Sequence, residues 1–237
     1  KSWFLDAAME AAQRGMVKGT NDITFSPNVL MTRGQLVTIL ARMEQADTDS
    51  APVCPFTDVD QSRFYAPAVN WAYANKIVLG VTETTFDPNA PITRQQLVTI
   101  LVRYLTEVRG LALDSAELTF TDQNDIGNFA RDAVQQAVAI GLVQGFPDGS
   151  FQPRKQLPRS EGVTVLVRLA HYLDHLPAEP EAPQPEEPTP EQPENPDNSG
   201  NETPPEETPE VSPTVSPEPS EAPDTTPEPP EISSAPV

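Results

Sequence analysis

Apolar positions along the first 176 residues recur in a fixed order three times. Trp3, Ala7, Ala8 and Ala11 keep helical spacing, and the pattern stops at Gly15-Met16-Val17-Lys18-Gly19, where glycines supply turn and C-cap conformations. A short extended piece follows, Thr24-Phe25-Ser26-Pro27-Asn28, and then an apolar run from Met31 that predicts a helix to about Glu44. The order returns as Ala68, Val69, Ala72 and Tyr73, the turn Lys76 to Gly80, Thr85-Phe86-Asp87-Pro88-Asn89, and a helix from Thr93. It returns again as Phe129, Ala133, Val134 and Ala137, the turn Gly141 to Gly145, a loop from Phe146 to Pro153, and an apolar run from Leu157.

Four anchor sets share the offsets 61 and 65: Trp3/Phe64/Phe129, Gly19/Gly80/Gly145, Phe25/Phe86/Phe151 and Arg33/Arg94/Arg159. Arg42/Arg103/Arg168 form a fifth. A fixed period of this kind is the signature of a repeat architecture. Two short helices cannot enclose a core alone, whereas three such units around a shared axis can. The pattern therefore predicts a mainly α body of three helix-loop-helix repeats in a pseudo-threefold arrangement, spanning residues 1–46, 55–109 and 118–175. Repeats two and three open with Phe56-Thr57-Asp58 and Phe120-Thr121-Asp122. By the same offset the opening of repeat one falls before Lys1, so that repeat is expected to be clipped.

Each second helix begins in the same way: Thr32-Arg33-Gly34-Gln35, Thr93-Arg94-Gln95-Gln96 and, more loosely, Pro158-Arg159-Ser160-Glu161. Thr followed three residues later by Gln is a capping box, and the apolar run behind it is packing surface. The arginine is anomalous, because a cation in the first turn opposes the helix dipole by about 0.3–1 kcal/mol.

Composition divides the chain near Leu176. The tail, residues 177–237, holds 16 acidic residues, no Lys or Arg, and 19 of the 28 prolines, so most of the net charge of −20 lies there. Such a segment cannot offset its ordering entropy by burial and is expected to be disordered and extended. The acidic balance argues against nucleic acid or an anionic membrane surface as partner. No apolar run reaches the ~18 residues of a membrane span. The single cysteine, Cys54, excludes an internal disulfide.

The Asp-containing opening, the aromatic before the first helix, Gly-x-x-x-Gly, Phe-x-Pro and Ile-Thr-Arg-x-Gln together resemble three tandem S-layer homology domains, over about Lys1–Leu173. The resemblance implies a three-pronged spindle that attaches a secreted protein non-covalently to the bacterial cell wall. The partner it implies is a secondary cell-wall polysaccharide, typically pyruvylated, held in grooves between adjacent repeats. Carried over residue by residue, the family arginine is Arg33, Arg94 and Arg159, and the groove glycines are Gly19, Gly80 and Gly145. Three departures stand out. Lys76 replaces the glycine of the other turns, so its turn is expected to be built differently. Pro158 replaces the capping threonine. Gly162 replaces Leu36 and Leu97, removing a core-sized side chain.

Each candidate has two readings. The three arginines can clamp a carboxylate beside the free amides of a helix N-terminus, or form structural ion pairs with Asp58 or Asp122. Thr32 and Thr93 are explained by capping, with a ligand role as the second reading. The glycines admit close approach of a sugar, or positive φ, or both. Trp3, Phe64 and Phe129 read first as core and second as sugar platforms. Trp71 occupies a register that is polar elsewhere, at Glu10 and Gln136, so it reads as an exposed stacking surface or as cover for a neighbouring repeat.

Asp58-x-Asp60-x-Ser62 fails as a calcium loop for want of the required Gly and Glu. His171, Asp174 and His175 share a helix face but complement the helix dipole there. No nucleophile–base constellation is visible, so nothing asks for an enzyme, a metal or a cofactor, and what the resemblance implies, a carbohydrate-binding anchor, is the expectation. The alternative is a structural or protein-binding repeat without sugar affinity.

Overall fold

The computed structural model describes residues 2–19 and 24–176. The expectation for the tail falls outside them. Six α-helices follow in order: α1 Leu5–Gln13, α2 Arg33–Glu44, α3 Ala66–Ala74, α4 Arg94–Arg103, α5 Asn128–Ala139 and α6 Arg159–Asp174. The mainly α, pseudo-threefold architecture is borne out. The first helix of each repeat packs on the second helix of the repeat before it, α3 on α2 and α5 on α4, and the cycle closes with α1 on α6. That closure is clamped by Arg14 Nη2 to Asp174 Oδ2 at 2.7 Å and His171 Nε2 to Glu10 Oε1 at 2.6 Å.

A triangle of backbone hydrogen bonds ties the three repeats together. Met31 N donates to Leu157 O at 2.9 Å, Leu157 N to Ile92 O at 3.0 Å, and Ile92 N to Met31 O at 2.9 Å. All three side chains are fully buried. Directly after the triangle the second helices begin. Thr32 caps α2 through a complete box, its Oγ1 accepting from Gln35 N at 3.2 Å and its own N–H donating to Gln35 Oε1 at 3.1 Å. At α4 only the return bond, Thr93 N to Gln96 Oε1, meets hydrogen-bond geometry, and Thr93 Oγ1 is buried without a partner. Pro158 replaces the cap at α6.

The amides of the first turn are not free. Arg33 N and Gly34 N donate to Ala90 O and Pro88 O, Arg94 N and Gln95 N to Lys155 O and Pro153 O, and Arg159 N and Ser160 N to Val29 O and Pro27 O. Each Phe-x-Pro loop thus stoppers the helix of another repeat. This corrects the expectation of open helix-terminal amides for an anion, because neighbouring carbonyls already satisfy them.

The loops are shaped by the opening aspartates. Asp58 accepts from Phe86 N at 2.9 Å and Asp87 N at 2.7 Å, and Asp122 from Phe151 N at 2.7 Å and Gln152 N at 2.8 Å. The clasped residues are left-handed, with φ of 63° at Asp87 and 57° at Gln152, and Ser26 matches them at 54°. A non-glycine residue there carries strain of roughly 1–3 kcal/mol, which the carboxylate bonds hold in place.

Two departures in sequence are resolved by packing. Lys76 adopts φ 59°, beside 69° at Gly15 and 70° at Gly141, so its turn has the same left-handed backbone and is not built differently. Gly162 leaves no void: a Cβ there would lie 2.8 Å from both Met31 Cε and Sδ. The longer Met31, in the place of Ile92 and Leu157, fills the space a leucine occupies in the other repeats.

Candidate functional site

Three grooves alternate around the body, and each draws on all three repeats. The first, enclosing about 390 Å³, joins Arg33 of repeat one, the Val78–Val81 turn with Gln96, Thr99 and Arg103 of repeat two, and Phe129 of repeat three. The second, about 320 Å³, joins Arg159, the Lys18-Gly19 turn with Gln35, Thr38 and Arg42, and Phe64. The third, about 290 Å³, joins Arg94, the Gln144–Phe146 turn with Glu161, Thr164 and Arg168, and Trp3. The ring closure of α1 on α6 is therefore what completes the third groove, by bringing Trp3 round to repeat three.

At the floor of each groove sits the anomalous arginine, 5–7% exposed. Arg33 Nε donates to Phe86 O at 2.8 Å, and its guanidinium lies 4.6 Å from that ring's centroid. Arg159 Nε donates to Phe25 O and Nη2 to Lys18 O, both at 3.1 Å, over the Phe25 ring at 5.1 Å. Arg94 Nη2 donates to Gln144 O at 2.6 Å and lies between Phe146 and Phe151, at 4.9 and 5.0 Å, while its Nε is buried without a partner. None of the three makes an ion pair among the described residues. The expected partners Asp58 and Asp122 are spent on backbone amides, which corrects the ion-pair reading.

Burial pulls the pKa of all three arginines below the ordinary value, offset at Arg33 by Asp87 and Asp58, and at Arg94 by Glu161 against the like charge of Arg168. Each groove thus has a desolvated cation at its floor and a second cation on its wall, Arg103, Arg42 or Arg168. Arg103 too is held below the usual arginine range by burial, against the pull of Glu107. These wall arginines were visible in sequence as a periodic set, yet nothing assigned them a place.

The glycines mark the turn beside each arginine for different reasons. Gly80 has φ 88°, and a Cβ would fall 2.2 Å from Thr82 O, so no other residue fits. At Gly145 a Cβ would meet Phe120 Cε1 at 2.8 Å, a packing constraint at ordinary φ. Gly19 is exposed on the wall of the second groove. Thr32 and Thr93 line none of the three grooves and sit at the helix starts.

The aromatic expectations are reversed. Trp3, Phe64 and Phe129 are not core: they are 65%, 65% and 57% exposed, one at the rim of each groove. Trp71 is 6% exposed and belongs to the core, so it offers no stacking face. The opening segment of repeat two lies against α3, with Cys54 N donating to Asn70 Oδ1 at 3.0 Å beside Trp71, while the aligned Glu10 and Gln136 are only half-buried.

Comparison with known proteins agrees with this construction. The chain is 27% identical to cell surface glycoprotein 1 of Acetivibrio thermocellus over 68% of its length, 31% identical to an endoglucanase of a Bacillus species over 71%, and 28% identical to the cellulosome-anchoring protein of A. thermocellus over 64%. It spans 7%, 18% and 34% of those proteins respectively. The S-layer homology domain model matches at residues 1–37, 55–98 and 119–161, together more than half of the chain. With the matched segments falling on three repeats that build a closed ring, the chain belongs to the S-layer homology domain family.

Proposed function

We propose that the three grooves bind an acidic saccharide of the bacterial cell wall, a pyruvylated secondary cell-wall polysaccharide, and so anchor a surface protein without covalent attachment. The family and its relatives set the chain at the bacterial cell surface. The observation that carries the reading is the set of buried guanidiniums without a carboxylate partner. A desolvated charge is costly unless paired, and the cost recurs at the same position in all three repeats. An acidic ligand completes the pair, with the wall arginine as second contact and the rim aromatic against the sugar face. Cellulolytic chemistry is no part of this reading, because the endoglucanase relative is matched over 18% of its length.

Co-sedimentation with purified wall sacculi tests the proposal. The chain is expected to pellet with intact sacculi and to remain in solution once the polysaccharide is chemically removed. Equal pelleting with both preparations contradicts it.

A further inference from the structure

The third groove carries an acid where the other two carry a neutral amide, and the difference begins in the backbone. Gln35 and Gln96 each accept a hydrogen bond from the N–H of the capping threonine. Pro158 has no N–H to give, so Glu161, at the same register, is released from capping. Its Oε1 accepts from Lys155 Nζ at 2.9 Å, and Lys155 also lies 4.6 Å from the centroid of the Phe146 ring. Glu161 Oε2 is buried and has no partner. A buried carboxylate oxygen without a donor is an unmet acceptor, and it stands in the same groove as Arg94, whose Nε is also buried and unpartnered. At this register the first two grooves present a neutral amide and the third a carboxylate. Lys155 shows what that carboxylate takes: an ammonium group, held between an acid and an aromatic face.

We propose that the third groove is a site for a zwitterionic amino sugar, one carrying an acid substituent and a free, protonated amine. The acid rests on Arg94 and Arg168, the amine donates to Glu161, and the ring packs on the exposed Trp3. The inference rests on the reading that these grooves take acidic sugars, and it adds that the third selects against the N-acetylated form, whose nitrogen bears no charge.

Muramic acid and N-acetylmuramic acid differ only at that nitrogen. The chain has two tryptophans, and Trp71 is buried in the core, so binding at the third groove is read from Trp3 emission during titration of the full chain in mildly acidic buffer. Muramic acid is expected to bind about tenfold or more tighter than the N-acetyl form, the scale of one charge-assisted hydrogen bond. Glu161→Gln, which installs the residue of the other two repeats, is expected to abolish that advantage and leave the fold intact. Equal affinity for the two sugars, a silent Trp3, or an advantage that survives Glu161→Gln overturns the proposal. Sedimentation with sacculi uses the two unaltered grooves as well, so a failure confined to Trp3 is separable from a failure of the anchoring reading.

Discussion

Arg33 Nε donates to Phe86 O at 2.8 Å while the guanidinium lies over the ring of the same residue, 4.6 Å from its centroid. One side chain thereby pins the loop of the next repeat and places a cation at the floor of the groove between them. The two roles cannot be separated by removing it. Arg94→Ala strips a hydrogen bond from Gln144 O and two ring contacts, and is expected to cost about 1–3 kcal/mol of stability, seen as a lower denaturant midpoint.

The wall arginines give the cleaner functional test. Arg103 forms no hydrogen bond or ion pair among the described residues through its side chain, and it lines the first groove. Arg103→Gln is expected to change the unfolding free energy by less than about 0.5 kcal/mol while weakening saccharide binding. Unchanged binding in isothermal titration would exclude a contact there.

Lys76 takes a left-handed backbone where the other repeats have glycine. Lys76→Gly relieves that strain but loosens the unfolded chain, and the net is expected to be a gain of about 0.5–1 kcal/mol. Thermal unfolding of the variant measures it directly.

Met31 and Gly162 are expected to be energetically coupled. Gly162→Leu overpacks the site and should cost about 1–3 kcal/mol, with Met31→Ala recovering at least about 1 kcal/mol of that loss in the double variant. Strict additivity would show that Met31 does not occupy the space.

The ring closure sets an acid limit on stability. Glu10 is held below its ordinary pKa first by its bond to His171, then by Arg14, and Asp174 is held down first by Arg14. Depressed carboxylates contribute above their unfolded values, near pH 4, and lose that contribution as pH falls through the folded ones. The melting temperature is therefore expected to fall below about pH 4, and to fall less in a Glu10→Gln, Asp174→Asn variant.

Period and local chemistry made the repeats, the helix starts and the floor arginines legible in the sequence. What they left open was decided by contacts between repeats. Helical spacing alone cannot say which face of a short helix meets a neighbour, so Trp3, Phe64 and Phe129 read as core although they stand at groove rims. Trp71 read as an exposed stacking surface or as cover for a neighbouring repeat because its counterparts are polar, and it is buried in the shared core. The capping motif pointed to free amides, whereas Pro27, Pro88 and Pro153 supply carbonyls that consume them. Asp58 and Asp122 looked like ion-pair partners, and their real work, clasping a left-handed loop, needs a partner 28 or more residues away.

The central claim is that the buried guanidiniums receive the carboxylate of an acidic sugar. Its most direct measurement is arginine side-chain NMR during titration with a pyruvate-ketal hexoside, and with the methyl ester of that ketal as the uncharged control. The account predicts that the Nε–Hε resonances of Arg33 and Arg103 shift with the acid and stay in place with the ester. Equal shifts with both, or binding of the acid that leaves those resonances unmoved, would contradict it.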